Sequence, residues 1–254
     1  MRPLIPCLTL ALLGCAPPPV IGGDDETSGS GPDASDGVAA TSADGTGTGG
    51  GDLDPAQLDR SMDEGECGYP GPGPNGYGTE VGQRLANNTG QPLSTCDGDP
   101  VQLADFMCPR QDGKHNRVIL VNIGAGWCLP CQAETLEFPD LYDEYHEQGL
   151  EIVQVLFQDW VASAPTGGFC SDWASGNWSA GGGQGVALDF PVIMDQVFDW
   201  GSIYLQDPAA ATPINMLIDA NGNIRWKLQA QQAPIEVLRA QIELIIEDPY
   251  APPT

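Results

Sequence analysis

The sequence predicts an α/β domain in which helices flank a central mixed sheet, preceded by a disordered tether. Three observations lead to this prediction. Short apolar runs typical of buried strands alternate with segments of helical spacing. The pair Asn221-Gly222 separates the last two runs, which is typical of a tight hairpin turn. Residues 16–66 are rich in Gly, Ser, Thr and Asp and contain few large apolar side chains.

The N-terminal segment 1–15 has the features of an export signal. Arg2 supplies a positive start, and the apolar stretch that follows is shorter than the roughly 20 residues that cross a bilayer. The stretch ends in Leu-Leu-Gly-Cys15, which resembles the lipobox of bacterial lipoproteins with Cys15 as the lipidated residue. This resemblance implies an extracytoplasmic protein anchored by lipid in a bacterial envelope, and Ala16 favours the outer membrane facing the periplasm. The alternative is an ordinary secretory signal with an incidental cysteine.

Residues 16–66 are expected to form a flexible acidic tether. Their composition cannot bury enough apolar surface to offset the conformational entropy that folding removes. The chain has 35 acidic and 9 basic side chains, a formal net charge of −26, and like charges extend such a segment. The same charge argues against nucleic acid as a partner, because Lys and Arg are needed to neutralise phosphates.

The folded domain is predicted to span residues 67–249. A Gly- and Pro-rich N-terminal loop comes first, and then a turn at Asp97-Gly98-Asp99 between short extended runs. Buried strands are predicted at 118–123, 150–157, 191–194, 214–218 and 224–228. Helices are predicted at 129–148 with a kink at Pro139, at 169–178 and at 234–246. The β-α-β alternation indicates parallel strands, to which the final hairpin adds antiparallel ones.

The segment Trp127-Cys128-Leu129-Pro130-Cys131 carries the predicted chemistry. It follows a buried strand and opens a helix, so Cys128 is expected to face unpaired backbone N–H groups at the positive end of the helix dipole. Both effects stabilise a thiolate and lower the pKa of the Cys128 thiol, and the thiolate is the nucleophile in thiol–disulfide exchange. Cys131, one turn later, is expected to be more buried and to resolve the mixed disulfide by attacking Cys128.

Two alternatives for this pair remain open. It could be half of a zinc site, but zinc needs further Cys or His ligands. The other mature cysteines stand alone in the sequence, and the two histidines are His115 and His146. It could also be a purely structural disulfide, although the start of a helix after a buried strand is an unusual place for one. Neither a metal nor a cofactor is predicted.

At these residues the sequence resembles the thioredoxin superfamily, and within it the extracytoplasmic TlpA and ResA type of thiol–disulfide oxidoreductase. The run VNIGAGWCLPCQAE is similar to the strand and active site of that branch, and the resemblance spans roughly residues 95–246. It implies a thioredoxin fold in which Cys128 attacks and Cys131 resolves. Glu134 matches an acidic residue that tunes the titration of the pair, and Asn122 falls where thioredoxins proper carry a buried Asp. The alternative for Glu134 is a solvated carboxylate on the helix surface.

The resemblance also implies a substrate groove. Thr212-Pro213 resembles the family's cis-proline, which packs opposite the disulfide, and the backbone of Thr212 would pair with substrate like an added strand. Trp127 is expected to be partly exposed and to cover part of the groove; the alternative is a core aromatic residue. Peroxiredoxins share the fold but need a PxxxTxxC pattern, and here Val121 and Ala125 replace its Pro and Thr. Direct peroxide reduction is therefore not expected.

The four remaining mature cysteines are an even set in an exported chain, which favours disulfides: Cys67, Cys96, Cys108 and Cys170. Four cysteines allow three pairings, and the sequence does not choose among them. We expect Cys67–Cys96 to staple the N-terminal loop and Cys108–Cys170 to tie a surface turn to the helix after the second strand. The alternative is a redox relay that feeds the Cys128–Cys131 pair.

Taken together, these features predict a disulfide reductase that acts on the thiols and disulfides of exported proteins. An electron donor in the membrane would re-reduce Cys128–Cys131, and lipid on Cys15 would hold the protein at that membrane. A disulfide oxidase or isomerase would use the same residues in the opposite direction. A redox-silent thioredoxin-fold module that binds a partner near Trp127 and Pro213 is the alternative from another class.

Overall fold

The computed structural model of the protein describes residues 53–60, 66–88, 93–197 and 212–251. The predicted signal peptide, its lipidation residue Cys15 and most of the predicted tether lie outside these residues, so those expectations stay predictions. Among the helices in these ranges, none combines the length and the apolar character that a bilayer crossing requires.

Six strands in the described part of the chain form one mixed sheet. They are β1 (Leu93–Thr95), β2 (Val118–Ala125), β3 (Leu150–Gln158), β4 (Val192–Asp195), β5 (Ile214–Asp219) and β6 (Ile224–Gln229). Their order across the sheet is β1-β4-β3-β2-β5-β6. β2, β3 and β4 run parallel to one another, whereas β1, β5 and β6 each pair antiparallel with their neighbours. The predicted mixed sheet, with the hairpin β5–β6 appended to the parallel unit, is confirmed.

Four α-helices in the same ranges accompany the sheet: α1 (Leu129–Thr135), α2 (Phe138–Tyr145), α3 (Gly167–Ala174) and α4 (Ile235–Glu247). The prediction of one kinked helix over 129–148 is wrong, because α1 and α2 are separate and a 3₁₀ turn follows at His146–Gln148. Pro139 lies in the first turn of α2, where its missing N–H breaks no helical hydrogen bond. A second 3₁₀ turn at Trp178–Gly181 replaces the end of the predicted helix 169–178.

The core lies on both faces of the sheet, and β2 is buried along its whole length. Val121 and Ile123 point to the face that holds both cysteines of the Cys128–Cys131 pair. Leu120 points to the opposite face, against the apolar sides of α2 and α4. Alternate residues of a strand point to opposite faces, which explains how one continuous apolar run serves two cores. Because β2 is packed on both faces, the position of its carboxyl end is fixed, and so is the position of the start of α1.

Residues 53–60, which the sequence places in the tether, pack against the β5–β6 turn, so this part of the prediction is wrong. The Arg60 guanidinium donates a hydrogen bond to the Ala220 carbonyl at 2.6 Å. The Asp59 backbone N–H donates to Asn221 Oδ1 at 2.8 Å. The composition of the segment predicts flexibility, but the Arg60 side chain and the Asp59 backbone make specific hydrogen bonds to the turn.

The predicted pairing of the structural cysteines is also wrong. The disulfides are Cys67–Cys108 and Cys96–Cys170. Because β1 pairs with β4 at one edge of the sheet, Cys96 comes to lie beside α3, and both Cys96 and Cys170 approach the carbonyl of Val192. Cys108 follows the 3₁₀ helix Leu103–Met107, which carries it back to the N-terminal loop. Sheet topology, which sequence spacing does not reveal, decides the pairing.

Candidate active site

Cys128 and Cys131 lie at the carboxyl end of β2, where the chain turns into α1. The two residues form a disulfide, with 5.2 Å between their Cα atoms. Cys128 is the N-cap of α1, and its sulfur accepts a hydrogen bond from the backbone N–H of Cys131 at 3.2 Å. Cys131 is fully buried and Cys128 is 3% exposed, in the order that the sequence predicts. The N-cap position directs otherwise unpaired N–H groups at the Cys128 sulfur.

Two glycines let the backbone pack closely around this pair. A Cβ at Gly124 would lie 3.1 Å from Cys131 Cβ and 3.3 Å from its sulfur. A Cβ at Gly126 would lie 2.8 Å from backbone atoms of Asp159 and Trp160, in the loop that follows β3. Larger residues at either position would push the active-site turn away from the sheet.

Trp127 lies at the surface beside the pair, with 46% of its area exposed. Its indole N–H donates to Gln158 Oε1 at 2.8 Å, and its ring packs edge-on against Phe157. The adjacent Leu129 is 73% exposed. Trp127 is thus a fixed, half-exposed aromatic residue as predicted, and the alternative of a core residue is wrong.

The Thr212–Pro213 peptide bond is cis, as the sequence predicts. Pro213 is buried and immediately precedes β5. In the register of β2 against β5, Ile214 pairs with Ile123, so Pro213 lies at the same end of the sheet as the Cys128–Cys131 turn. The Pro213 carbonyl accepts a hydrogen bond from Ala230 N–H at 3.0 Å, which ties it to the end of β6.

Glu134 is only 1% exposed, so the alternative of a solvated carboxylate is wrong. It stands one helical turn after Cys131. Asn122 Nδ2 donates to one carboxylate oxygen at 3.1 Å, whereas Asn215 Nδ2, at 2.9 Å, and the Ala233 backbone N–H donate to the other. Burial raises the pKa of Glu134 to about 7, against the opposing effect of these three donors.

Sequence reasoning missed two residues of this environment, Gln154 and Asn215. Asn122 pairs with Gln154 on β3 and with Asn215 on β5, so three amide side chains form a buried row across three strands. The available signal was an amide residue inside each of three otherwise apolar strands. A buried amide needs hydrogen-bond partners, so such residues in neighbouring strands favour a shared network.

The structure offers no metal site in its described ranges. No group of three or more His, Cys, Asp or Glu side chains there is placed to hold an ion. The cysteines of the Cys128–Cys131 pair are bonded to each other, as are those of the other two disulfides. The arrangement around Cys128 is therefore that of a two-cysteine site with a buried carboxyl group nearby.

A mixed sheet, a Cys-x-x-Cys pair opening the first helix and a cis-proline immediately before the adjoining strand define a thioredoxin-fold protein. The chain belongs to the AhpC/TSA family, whose model matches residues 81–227. The thiol–disulfide oxidoreductase ResA of Oceanobacillus iheyensis is 44% identical over 59 residues, which are 23% of this chain and 27% of that protein. ResA of Bacillus thuringiensis subsp. konkukian is 24% identical over 153 residues, 60% of this chain and 72% of that protein.

Among solved structures, a thiol:disulfide interchange protein from Bacteroides sp. matches with a TM-score of 0.48 and 16% identity, covering 66% of this chain and 91% of that one. The family and the ResA relatives place the chain among thiol–disulfide oxidoreductases.

Proposed function

We propose that the protein reduces disulfides of exported proteins by thiol–disulfide exchange through Cys128 and Cys131. The observation that carries this proposal is the position of Cys128 as the N-cap of α1, where its sulfur accepts the Cys131 N–H. In the reduced protein the same N–H and the helix dipole stabilise a Cys128 thiolate. A thiolate, rather than a thiol, attacks a disulfide.

The exchange takes two steps that conserve electrons. The Cys128 thiolate attacks one sulfur of a client disulfide; that S–S bond breaks, a mixed disulfide forms, and the released client thiolate takes up a proton. Cys131 then loses its proton and attacks the Cys128 sulfur, which releases the second client thiolate. Two electrons have passed to the client, and the Cys128–Cys131 disulfide remains. A dithiol donor at the membrane restores the reduced pair by the same exchange in reverse.

Glu134 supplies a proton acceptor for the second step. It lies three residues after Cys131 in α1, and residues at this spacing share a helix face. With a pKa of about 7, its carboxyl group gains and loses a proton near neutral pH. Its burial keeps the proton transfer away from bulk water, so Glu134 assists the deprotonation of Cys131.

Clients bind along the groove between Trp127 and Pro213. Thr212 is half-buried and lies two residues before β5, and an extended client segment pairs with its backbone as a further strand. Trp127 offers an exposed, fixed aromatic face at one side of Cys128. Main-chain pairing tolerates many client sequences, which suits an enzyme that acts on several exported proteins.

The protein works outside the cytoplasm, held by lipid on Cys15, facing the periplasm from the outer membrane. Two disulfides remote in sequence from the active pair, Cys67–Cys108 and Cys96–Cys170, support an oxidising compartment. The part of the tether before residue 53 gives the domain reach from the membrane.

The proposal is tested by following reduction of a disulfide-bonded protein substrate, with dithiothreitol as donor. The wild-type protein is expected to accelerate the reaction, and Cys128→Ala to lose the acceleration. Cys67→Ser with Cys108→Ser is the matched control, because it removes a disulfide outside the active-site turn. If Cys128→Ala matches the wild type, the enzymatic proposal fails. A Cys128→Ala protein that still captures a partner would support the redox-silent binding module instead.

A further inference from the structure

The buried row of amides formed by Gln154, Asn122 and Asn215 makes a hydrogen bond to a further side chain at each of its two ends. At one end, Asn122 and Asn215 donate to Glu134. At the other end, the indole N–H of Trp173, on α3, donates to Gln154 Oε1 at 2.7 Å. The row therefore joins a fully buried tryptophan to the carboxyl group that the proposed function uses as a proton acceptor.

Every hydrogen bond along this row points in the same direction. Since Gln154 turns its oxygen to Trp173, its nitrogen faces Asn122 and donates to Asn122 Oδ1 at 3.0 Å. The nitrogen of Asn122 is thereby turned the other way, and donates to Asn215 Oδ1 at 2.8 Å as well as to Glu134. The nitrogen of Asn215 in turn donates to Glu134. The donors run from Trp173 to Glu134.

A side branch reaches the active pair from the same row. Gln154 Nε2 also donates to Thr135 Oγ1 at 2.7 Å, and the Thr135 hydroxyl donates to the Cys131 carbonyl at 2.9 Å. Because Gln154 donates to the Thr135 oxygen, the Thr135 hydroxyl hydrogen is directed at the carbonyl of Cys131. The orientation of the Gln154 amide therefore determines the orientation of this hydroxyl group.

An amide group can turn by 180° and exchange its donor for its acceptor, so a row of amides has two self-consistent directions. In the observed direction, amide N–H groups face Glu134 and favour its carboxylate form. In the reversed direction, amide oxygens would face Glu134 and favour its protonated form. An indole nitrogen is a donor only and cannot reverse.

We propose that Trp173 is a positioning residue whose indole N–H sets the direction of this amide row and so favours the carboxylate form of Glu134. The inference rests on the proposed role of Glu134. Trp173 itself lies in an aromatic cluster with Trp160, Phe169 and Trp178. It acts only through Gln154 and Asn122.

Few other groups affect the pKa of Glu134. Glu137, at the start of α2, raises the pKa of Glu134. β2, β5 and the loop before α4 contribute the two asparagine amides and the Ala233 N–H. On α1 the titratable neighbours are the active cysteines, which carry no proton in the disulfide form. A titration of the oxidised protein therefore isolates the effect of the row.

The test compares Trp173→Phe with Trp178→Phe. Both residues are fully buried and stack on each other with ring centroids 4.5 Å apart. The Trp178 N–H donates to the Trp173 backbone carbonyl and not to the amide row. Both variants therefore lose similar aromatic packing, and only Trp173→Phe loses the donor that fixes Gln154.

The readout is the infrared titration of the Glu134 carboxyl group in the oxidised purified protein, identified by subtracting the Glu134→Gln spectrum. The subtraction is needed because burial also raises the pKa of Glu151 to about 7. Trp173→Phe is expected to move the Glu134 midpoint upward by at least about one pH unit, because one charge-assisted hydrogen bond has about that effect and reversal of the row would remove the donors of both Asn122 and Asn215. Trp178→Phe is expected to leave it near the wild-type value.

An unchanged midpoint in Trp173→Phe, or an equal shift in both variants, would overturn the inference. If Trp173→Phe does not fold, Gln154→Leu tests the inference instead. This variant removes the hydrogen bond between Gln154 and Asn122 while leaving Trp173 in place. It is expected to raise the midpoint by a similar amount, and an unchanged midpoint would overturn the inference. The titration needs no turnover, so a wild-type protein that fails to reduce a client would refute the proposed function separately.

Discussion

The backbone N–H of Cys131 donates a hydrogen bond to the sulfur of Cys128, 3.2 Å away, so the residue proposed to resolve the mixed disulfide also contacts the sulfur proposed to attack. The two roles of Cys131 belong to different atoms. In the proposed reaction its backbone stabilises the charge on the reduced Cys128, and its side chain closes the disulfide. A substitution that removes only the sulfur separates them.

Cys131→Ala keeps the N–H and loses the resolving thiol. We expect this variant to form a mixed disulfide with client proteins that persists, because no sulfur remains to displace the client. Non-reducing electrophoresis followed by mass spectrometry measures the trapped species. Cys128→Ala is the control and is expected to trap none. Equal trapping by both variants would contradict the assignment of Cys128 as the attacking residue.

Gly124→Ala is expected to destabilise the protein by about 1–3 kcal/mol, the usual cost of overpacking a core. The added Cβ would meet Cys131 Cβ at 3.1 Å, and Gly124 lies in β2, which pairs with β3 on one side and with β5 on the other. Urea unfolding of the oxidised protein measures the effect. Gly168→Ala, in α3, is the control: its Cβ meets only Thr166 Oγ1, at 4.0 Å, and the change should stabilise by at most about 1 kcal/mol. A Gly124→Ala protein as stable as the wild type would show that the turn can move.

The free energy of unfolding is expected to fall as the pH rises from about 4.5 to about 7. Burial raises the pKa of Glu134 from 4.5 to about 7, so in this window the folded state binds more protons than the unfolded state. The stabilisation is complete below the unfolded pKa and is lost as the pH passes the folded one. Glu151 contributes in the same direction.

Glu134→Gln removes one of these two contributions. Thermal-unfolding midpoints measured across this pH window should therefore depend less steeply on pH in the variant than in the wild type. Glu247→Gln, a change at an exposed position at the end of α4, is the control and should keep the wild-type slope. Identical slopes for Glu134→Gln and the wild type would mean that Glu134 is already ionised at low pH.

The disulfides Cys67–Cys108 and Cys96–Cys170 are expected to appear as linked peptides after proteolysis without reduction. Replacing Cys96 and Cys170 together by Ser should lower the free energy of unfolding by about 2–4 kcal/mol, because the crosslink closes a long loop. The linked peptides are measured by mass spectrometry. Recovery of a Cys67–Cys96 or Cys108–Cys170 peptide would contradict the observed topology.

The sequence predicts much of the fold and of the active pair because the relevant signals are local. The apolar runs of β2 and β3, the Asn-Gly turn and the Cys128–Cys131 spacing each act over a few residues. For Glu134, the sequence predicts which residue lies near the pair but not that its carboxyl group is buried. The match at Glu134 identified the residue, but its burial depends on Asn215, which is 81 residues away along the chain.

The errors come from interactions that local pattern does not encode. The pairing of Cys96 depends on β1 joining the sheet at its β4 edge, which is a property of topology. The docking of Arg60 depends on the Ala220 carbonyl, 160 residues further along the chain, although the surrounding composition is that of a flexible segment. The sequence places Trp173 inside a predicted helix and assigns it no role; its proposed role becomes visible only in its contact with Gln154.

The reduction potential of the Cys128–Cys131 pair tests the central claim most directly. It is measured by thiol trapping of the purified protein across a series of redox buffers. We expect a reversible two-electron titration near the thioredoxin value of about −270 mV, as for a reductase that depends on a donor. A value near about −120 mV would reverse the direction and make the protein a disulfide donor. A pair that does not titrate at all would contradict the account, because no exchange could then pass through Cys128.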